Sequence, residues 1–196
     1  AEGHVTSAYD IALMSRQLLQ YDLIRDYVGI WMDSIREGTF QLANTNKLIR
    51  FYEGATGLKT GSTDAALYCV SATAEKDGME LIAVVLGSPT SADRFETAKA
   101  LLNYGFAGYS LVTVAPSEPI SPIPVTLGTA DSVQPVLTQE SQILLPKAEA
   151  GKVSTTLSLP DTLQAPVEKG QELGSLTVLV DGKENQKLPL VAQEEV

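Results

Sequence analysis

The sequence predicts an α/β domain over residues 1–107, followed by a small all-β sandwich domain over residues 108–196. Composition changes between the two parts. Residues 1–106 hold all four Phe, the only Trp, the only Cys and the only His, whereas residues 116–196 hold nine of the ten Pro and no aromatic residue. The hydrophobic period also changes, from mixed helix and strand patterns to short alternating runs. We place the domain boundary within residues 107–110.

The first domain opens with a predicted helix. Thr6 or Ser7 can cap it, and Asp10 lies in its first turn. A second short helix is predicted from Tyr21-Asp22, and polar interruptions predict an irregular loop over residues 40–48. Apolar residues recur at helical spacing in the first helix: Ile11, Met14, Leu18 and Leu19.

Three strands and a helix complete this domain. The predicted strands contain residues 58–61, 66–72 and 80–87. Asp77-Gly78 between the last two predicts a tight hairpin. A helix is predicted from Ser91 to Tyr104, with Gly105 ending it as a C′ residue.

The second domain shows only strand patterns. Alternating runs cover residues 111–114, 154–159 and 175–180, separated by Pro and Gly turns. Asp181-Gly182 is another hairpin signal. These features predict an antiparallel sandwich.

Charge and cysteine content exclude several classes of function. The net charge of −10 argues against nucleic acid and against a polybasic membrane contact. The single cysteine, Cys69, excludes an internal disulfide and a cysteine-based metal site, so we expect neither metal nor cofactor. No apolar run reaches the ~20 residues of a membrane span. Because Ala1 follows no initiator Met or signal peptide, we expect the chain to begin within a longer gene product.

The run Lys59-Thr60-Gly61-Ser62 places several chemical groups on one strand. Lys59 and Gly61 should face one way and Thr60 the other, because side chains alternate along a strand. A cation, a hydroxyl, a bare glycine and a free N–H suit a carboxylate and a developing oxyanion. The tripeptide alone is a weak signal, so its neighbours decide the interpretation.

From His4 to Phe106 the sequence resembles the serine D-alanyl-D-alanine carboxypeptidases of peptidase S11 type, the low-molecular-weight penicillin-binding proteins. The second domain resembles that family's C-terminal β-domain more weakly, by position and strand pattern. Five ordered blocks carry the first resemblance: HVTSAYDIAL (residues 4–13), NTNKL (44–48), TGLKTGST (56–63), DGMELIAVVLG (77–87), and Arg94 followed by LLNYGF (101–106).

The resemblance implies that the first domain is part of a β-lactamase/transpeptidase-like fold. It also implies that the full-length protein removes the terminal D-Ala from peptidoglycan stem peptides through a serine acyl-enzyme, which β-lactams trap. By the same resemblance Lys59 acts electrostatically, Thr60 hydrogen-bonds the substrate carboxylate, Gly61 lets the substrate lie along the strand, and the backbone N–H of Ser62 serves the oxyanion hole. Arg94 falls where some relatives bind that carboxylate, although a surface arginine is an equal alternative. The resemblance also implies that the protein is located outside the cytoplasm, in the bacterial cell envelope at the outer face of the cytoplasmic membrane.

Parts of the family pattern are absent or altered. No serine has a lysine three residues later or an asparagine two residues later, so the Ser-x-x-Lys and Ser-x-Asn motifs are missing. We therefore expect this chain alone to be inactive. Because residues 1–106 taken alone would expose apolar surface, we also expect a co-purifying N-terminal fragment, self-association or a locally rearranged fold. Thr45 stands where certain members have an arginine. His4 is interpreted as structural and Cys69 as an inert buried thiol.

Two other classes of function stay open. One is a β-lactamase-type hydrolase, against which the following β-domain argues. The other is a non-catalytic cell-wall scaffold protein. The upstream sequence and penicillin turnover would separate them.

Overall fold

The computed structural model describes residue 3 and residues 5–138 and 141–196. It divides the chain into two units, Ala1–Gly108 and Tyr109–Val196. His4 lies outside the described residues, and its interpretation as structural stays a prediction. The first unit contains, in chain order, α1 (Ala8–Leu18), α2 (Asp22–Val28), β1 (Met32–Ile35), β2 (Phe40–Ala43), α3 (Leu48–Phe51), β3 (Ala55–Thr63), β4 (Leu67–Lys76), β5 (Met79–Ser88) and α4 (Ser91–Gly108).

The main sheet of this unit is antiparallel, with strand order β3-β4-β5. All three predicted strands are confirmed, and each is longer at one end or both than the predicted segment. The predicted hairpin at Asp77-Gly78 is confirmed too, because both residues have positive φ, +52° and +75°. The order leaves β3 at an edge of the sheet.

Helix α4 covers one face of the sheet and builds the core with it. The core combines apolar side chains of α3, β4, β5 and α4: Leu48, Val70, Ala72, Ala74, Ala83, Val85, Phe95, Ala98 and Leu102. The prediction that Gly105 ends this helix is wrong, because the helix continues to Gly108. A Cβ at Gly105 would lie 2.4 Å from Leu81 Cδ1, so this glycine serves close packing of helix on strand.

Helix α1 begins as predicted and lies against β5 and β4. Ser7 caps it in a capping box with Asp10, which confirms the predicted start. Ser15 Oγ lies 2.7 Å from Ser71 Oγ in a buried hydroxyl pair. Of the predicted apolar stripe, Leu19 is buried, whereas Met14 is 56% exposed. Part of that stripe therefore faces open space.

Helix α2 is also present, beginning at Asp22 as predicted, and Arg25 ties it to the sheet. Arg25 Nη1 and Nη2 donate to Glu80 Oε1 and Oε2 at 3.0 and 2.8 Å. This hydrogen bond raises the pKa of Arg25. Thr56 Oγ1, on β3, donates to the same carboxylate at 3.0 Å, so the pair also steadies the edge strand.

The predicted irregular loop over residues 40–48 is wrong at both ends. Phe40–Ala43 forms β2, paired antiparallel with β1, and Leu48 starts α3. The β1–β2 connection places Arg36, Glu37 and Gly38 at positive φ. A hairpin turn made largely by non-glycine residues carries no clear sequence signal.

The second unit is built from strands, as predicted. The strands of this unit are β6 (Tyr109–Val114), β7 (Ile123–Thr126), β8 (Ser132–Val133), β9 (Pro135–Leu137), β10 (Ser141–Pro146), β11 (Val153–Ser158), β12 (Leu163–Gln164), β13 (Glu172–Val180) and β14 (Lys183–Ala192). Four of them form a sheet of order β11-β13-β14-β9, and β6 pairs with β10 in a second sheet. These two sheets share a core, which makes a sandwich.

This unit departs from the prediction in one respect. A third sheet, of order β12-β7-β8, contains the parallel pair β12–β7, so the unit is not wholly antiparallel. The Asp181-Gly182 hairpin is confirmed, with φ of +51° and +74°. None of the helices in the described ranges is long and apolar enough to cross a membrane.

Candidate active site

The Lys-Thr-Gly wall, meaning residues 59–62, lies on edge strand β3. Lys59 and Gly61 are exposed and Thr60 is 8% exposed, which is the alternation expected of a strand. Within the described part of the chain β3 pairs with β4 alone, so its other edge is open to an added peptide strand. A Cβ built on Gly61 would meet no atom within 4 Å. The space before this glycine is therefore free.

Lys59 lies on the face of the sheet that carries Ser71, its partner on β4. Its Nζ donates a hydrogen bond to the carbonyl oxygen of Thr60. Between α1 and this face is a cavity of about 430 Å³, lined by side chains that include Met14 and Leu18. The ammonium group is thus placed beside a mostly apolar cavity, where its attraction to a negatively charged ligand is stronger than in open water.

Thr60 is held by a residue of the asparagine-rich segment, meaning residues 44–48. Its Oγ1 lies 2.6 Å from Thr45 Oγ1, and either hydroxyl can be the donor. Thr45 itself is exposed. The hydroxyl that the resemblance assigns to the substrate carboxylate therefore already has one fixed hydrogen-bond partner.

Asn46 fixes the position of that segment. It is 1% exposed, and its Nδ2 donates to the carbonyl oxygen of Gly57 on β3 at 2.8 Å. Its Oδ1 accepts from the N–H of Leu48 at 3.2 Å. Asn44 adds hydrogen bonds from Nδ2 to the carbonyl oxygens of Val28 and Ile30 at 3.3 and 2.9 Å. The segment is thereby fastened both to α3 and to the edge strand.

Arg94 contacts the same strand from the α4 side. Its Nη1 lies 3.2 Å from the carbonyl oxygens of Gly61 and of Cys69, and its Nη2 lies 3.2 Å from Ser91 Oγ. The residue is 7% exposed. Sequence reasoning offered a carboxylate contact or a surface arginine, and the second alternative is wrong because the guanidinium is buried.

Cys69 differs from the expectation of a buried thiol. It is half-buried, its Sγ lies 3.3 Å from the carbonyl oxygen of Ala66, and it is the β4 partner of Gly61. The register between β4 and β5 is irregular at this residue, which moves its side chain out of regular packing.

The structure places Lys59, Thr60, Gly61 and Ser62 on β3 and brings Arg94 against the same strand, while the roles of these residues stay predictions. Sequence reasoning missed the hydroxyl pair at position 45 and the buried asparagine after it. The signal for both was present in the spacing of NTN (residues 44–46), since asparagines bracketing a short polar residue are typical of a loop hydrogen-bonded to its surroundings. Which residue the loop would contact could not be deduced without the fold.

The lysine-bearing edge strand, the helix behind its sheet and the following unit of strands agree with the resemblance to the penicillin-binding proteins, and comparison with known families shows the class directly. Residues 1–90 match the family described as D-alanyl-D-alanine carboxypeptidase. Residues 109–196 match the family described as penicillin-binding protein 5, C-terminal domain. The chain belongs to the D-alanyl-D-alanine carboxypeptidase family, which confirms the resemblance.

Individual relatives agree with this assignment. D-alanyl-D-alanine carboxypeptidase DacF of Bacillus subtilis is 36% identical over 200 residues, covering all of this chain and 51% of the relative. DacC of Escherichia coli is 31% identical over 203 residues, covering all of the chain and 50% of the relative. The crystal structure of penicillin binding protein 5 from Haemophilus influenzae has a TM-score of 0.74 at 29% identity, covering 97% of this chain and 56% of that one. The chain thus spans about half the length of the curated relatives it matches.

Proposed function

We propose that this chain supplies one side of the active site of a serine D-alanyl-D-alanine carboxypeptidase. The observation that carries the proposal is the Lys-Thr-Gly wall on an open edge strand, with free space in front of Gly61. A peptide ending in D-Ala-D-Ala can lie along that edge as an added strand. The family membership of the chain supports the same reaction.

The reaction is acyl transfer to a serine. The serine hydroxyl attacks the carbonyl carbon between the two D-alanines and passes its proton to a base, and a tetrahedral oxyanion forms. The C–N bond then breaks as the leaving amine takes a proton, and water later hydrolyses the ester. A β-lactam enters by the same attack and leaves a long-lived ester.

The residues of this chain serve that reaction in four ways. Lys59 brings positive charge toward the terminal carboxylate and the proton path. Thr60 donates its hydroxyl proton to the carboxylate, the bare Gly61 admits the substrate backbone, and the N–H of Ser62 stabilises the oxyanion. Arg94 supports the site from behind the strand.

The nucleophile belongs to an upstream segment in this proposal, because no serine of the chain stands in Ser-x-x-Lys. That segment would pack over α1 and the Lys59 face, where Met14 and Leu18 border the cavity. Tyr9 and Leu13 of α1 and Tyr21 just after this helix are exposed as well. Monomeric proteins rarely leave a large apolar surface uncovered. We call the chain together with this segment the full-length protein.

The partners and location follow from the substrate. Stem peptides ending in D-Ala-D-Ala and β-lactams are the proposed ligands, and the proposed location is the outer face of the cytoplasmic membrane. Because peptidoglycan lies outside that membrane, the enzyme that trims it must work there.

The test is release of D-alanine from a D-Ala-D-Ala peptide by the full-length protein, compared with Lys59→Ala and, as a control, the exposed Lys183→Ala. We expect release by the wild type and the control and loss in Lys59→Ala. Rapid penicillin turnover would instead indicate a β-lactamase-type hydrolase. If the full-length protein neither releases D-alanine nor becomes labelled by penicillin, the result would indicate a scaffold protein and overturn the proposal.

A further inference from the structure

Arg94 is a buried cation whose hydrogen bonds go to two backbone carbonyls and one side-chain hydroxyl. Its partners among the described residues are the carbonyl oxygens of Gly61 and Cys69 and the hydroxyl of Ser91, each at 3.2 Å. No ion pair with a carboxylate is seen for it in the described ranges. A guanidinium taken out of water costs free energy unless its donors are satisfied. Nη1 and Nη2 have these partners, whereas the buried Nε has none among the described residues, so the Nη contacts define where the group rests.

Aromatic rings and strand irregularity hold the guanidinium in that place. Its Cζ lies 4.6 Å from the ring centroid of Phe95 and 5.5 Å from that of Tyr68. Cys69 falls in the irregularity of the β4–β5 register, and its carbonyl oxygen accepts from Arg94 Nη1 at 3.2 Å. The side chain is thus restrained by rings as well as by hydrogen bonds.

The carbonyl of Gly61 and the N–H of Ser62 belong to the same peptide group. That group is trans, so its C=O and N–H point in opposite directions. With the Gly61 oxygen directed at Arg94, the Ser62 N–H must point away from Arg94. The proposed oxyanion donor and the arginine are therefore at the two ends of one rigid dipole.

A cation at the carbonyl end affects the N–H end in two ways. It fixes the rotation of the peptide plane, which fixes the direction of the N–H. It also polarises the peptide group, since hydrogen-bonded groups in a low-dielectric interior strengthen one another. Both effects matter most when negative charge develops on the substrate oxygen.

We propose that Arg94 is a positioning residue for the oxyanion hole, acting on the Ser62 N–H through the Gly61 carbonyl rather than by touching the substrate carboxylate. The inference rests on the proposed function and names a role for a residue behind the strand. In this role Arg94 makes no direct contact with the substrate carboxylate. Ground-state binding of the ligand should therefore depend little on Arg94, and the acylation step should depend on it strongly.

The test uses the full-length protein and benzylpenicillin, with Arg94→Gln and the exposed Arg16→Gln as a matched control. Stopped-flow kinetics separate the dissociation constant of the first complex from the acylation rate constant. We expect Arg94→Gln to slow acylation about ten- to hundredfold, somewhat below the ~10²–10³ of losing an oxyanion donor outright, with the dissociation constant within about twofold. Isotope-edited infrared spectra should show a higher ester carbonyl frequency in the acyl-enzyme, because a weaker oxyanion hole polarises that carbonyl less.

The possible results are distinct. A weakened dissociation constant with an unchanged rate would make Arg94 a carboxylate contact and overturn the proposal, as would no change in either quantity. An unshifted carbonyl frequency would overturn it too. If Arg94→Gln does not fold, Arg94→Lys, which keeps the charge but loses the planar fork of donors, carries the same comparison. If the wild type itself is not acylated, the proposed function fails first.

Discussion

Thr45 Oγ1 lies 2.6 Å from Thr60 Oγ1, joining the asparagine-rich segment to the Lys-Thr-Gly wall. A threonine hydroxyl has one proton to donate and two lone pairs to accept with. When Thr45 is the donor, the Thr60 proton stays free for an anionic ligand. The pair therefore both fixes the Thr60 side chain and leaves it able to donate.

Removal of the Thr45 hydroxyl should weaken ligand binding without disturbing the fold. In the full-length protein we expect Thr45→Val to raise the dissociation constant for benzylpenicillin about three- to tenfold, the value of one net hydrogen bond. Thr45→Ser keeps the hydroxyl and should bind like the wild type. Competition binding measures both. A loss in the Ser variant as large as that in the Val variant, or no loss in the Val variant, would show that the hydroxyl pair is not what supports ligand binding.

A side chain at Gly61 should block the site and spare the fold. The Cβ would meet nothing within 4 Å, and a valine suits a strand better than glycine does. We expect Gly61→Val to unfold at the wild-type temperature or slightly above, while acylation by penicillin falls about 10²-fold because the ligand is displaced along the edge. Thermal unfolding and labelling kinetics on the same sample test this. Normal labelling would mean that the ligand does not lie there.

Gly105 should be sensitive to substitution because α4 approaches β5 there. A Cβ at this position would lie 2.4 Å from Leu81 Cδ1, whereas one at Gly108, in the same helix, would meet nothing. We expect Gly105→Val to lower the free energy of unfolding of the full-length protein by about 1–3 kcal/mol relative to Gly108→Val. Denaturant titration of both variants measures the difference. Equal stabilities would show that Leu81 moves aside at no cost.

Asn46 should stabilise the first unit through its two hydrogen bonds. It is 1% exposed, and Asn46→Ala leaves the Gly57 carbonyl and the Leu48 N–H without partners. We expect a loss of about 2–4 kcal/mol in the free energy of unfolding of the full-length protein. Gln41→Ala, on the exposed strand β2, is the control and should cost little. If Asn46→Ala lowers the free energy of unfolding no more than Gln41→Ala does, the two Asn46 hydrogen bonds do not stabilise the unit.

The sequence allowed the strands around Lys59, the capped helix at Ser7 and the turns at Asp77 and Asp181 to be predicted, because each depends on neighbouring residues in the chain. It did not allow the β1–β2 hairpin to be predicted, since the turn has non-glycine residues at positive φ. The packing role of Gly105 could not be predicted for a different reason. A glycine late in a helix is typical of a helix end, and only the position of Leu81 on another strand shows its packing role.

The site was predicted to a similar extent. The residues of the Lys-Thr-Gly wall could be proposed from sequence because residues 59–62 are contiguous and other blocks of the same family accompany them in order, and their roles stay predictions. The partners that hold them come from 15 and 33 residues away, in Thr45 and Arg94. Such contacts depend on where α4 and the asparagine-rich segment pack, which local patterns do not encode.

Intact-mass analysis after incubation with a fluorescent penicillin tests whether the nucleophile lies outside this chain, using the 196-residue chain and the full-length protein side by side. We expect no covalent adduct on the chain alone and a single adduct on the full-length protein, located by peptide mapping at a serine of the upstream segment. An adduct on any serine within this chain would show that the nucleophile lies here, and a full-length protein that carries no adduct would overturn the proposed enzyme.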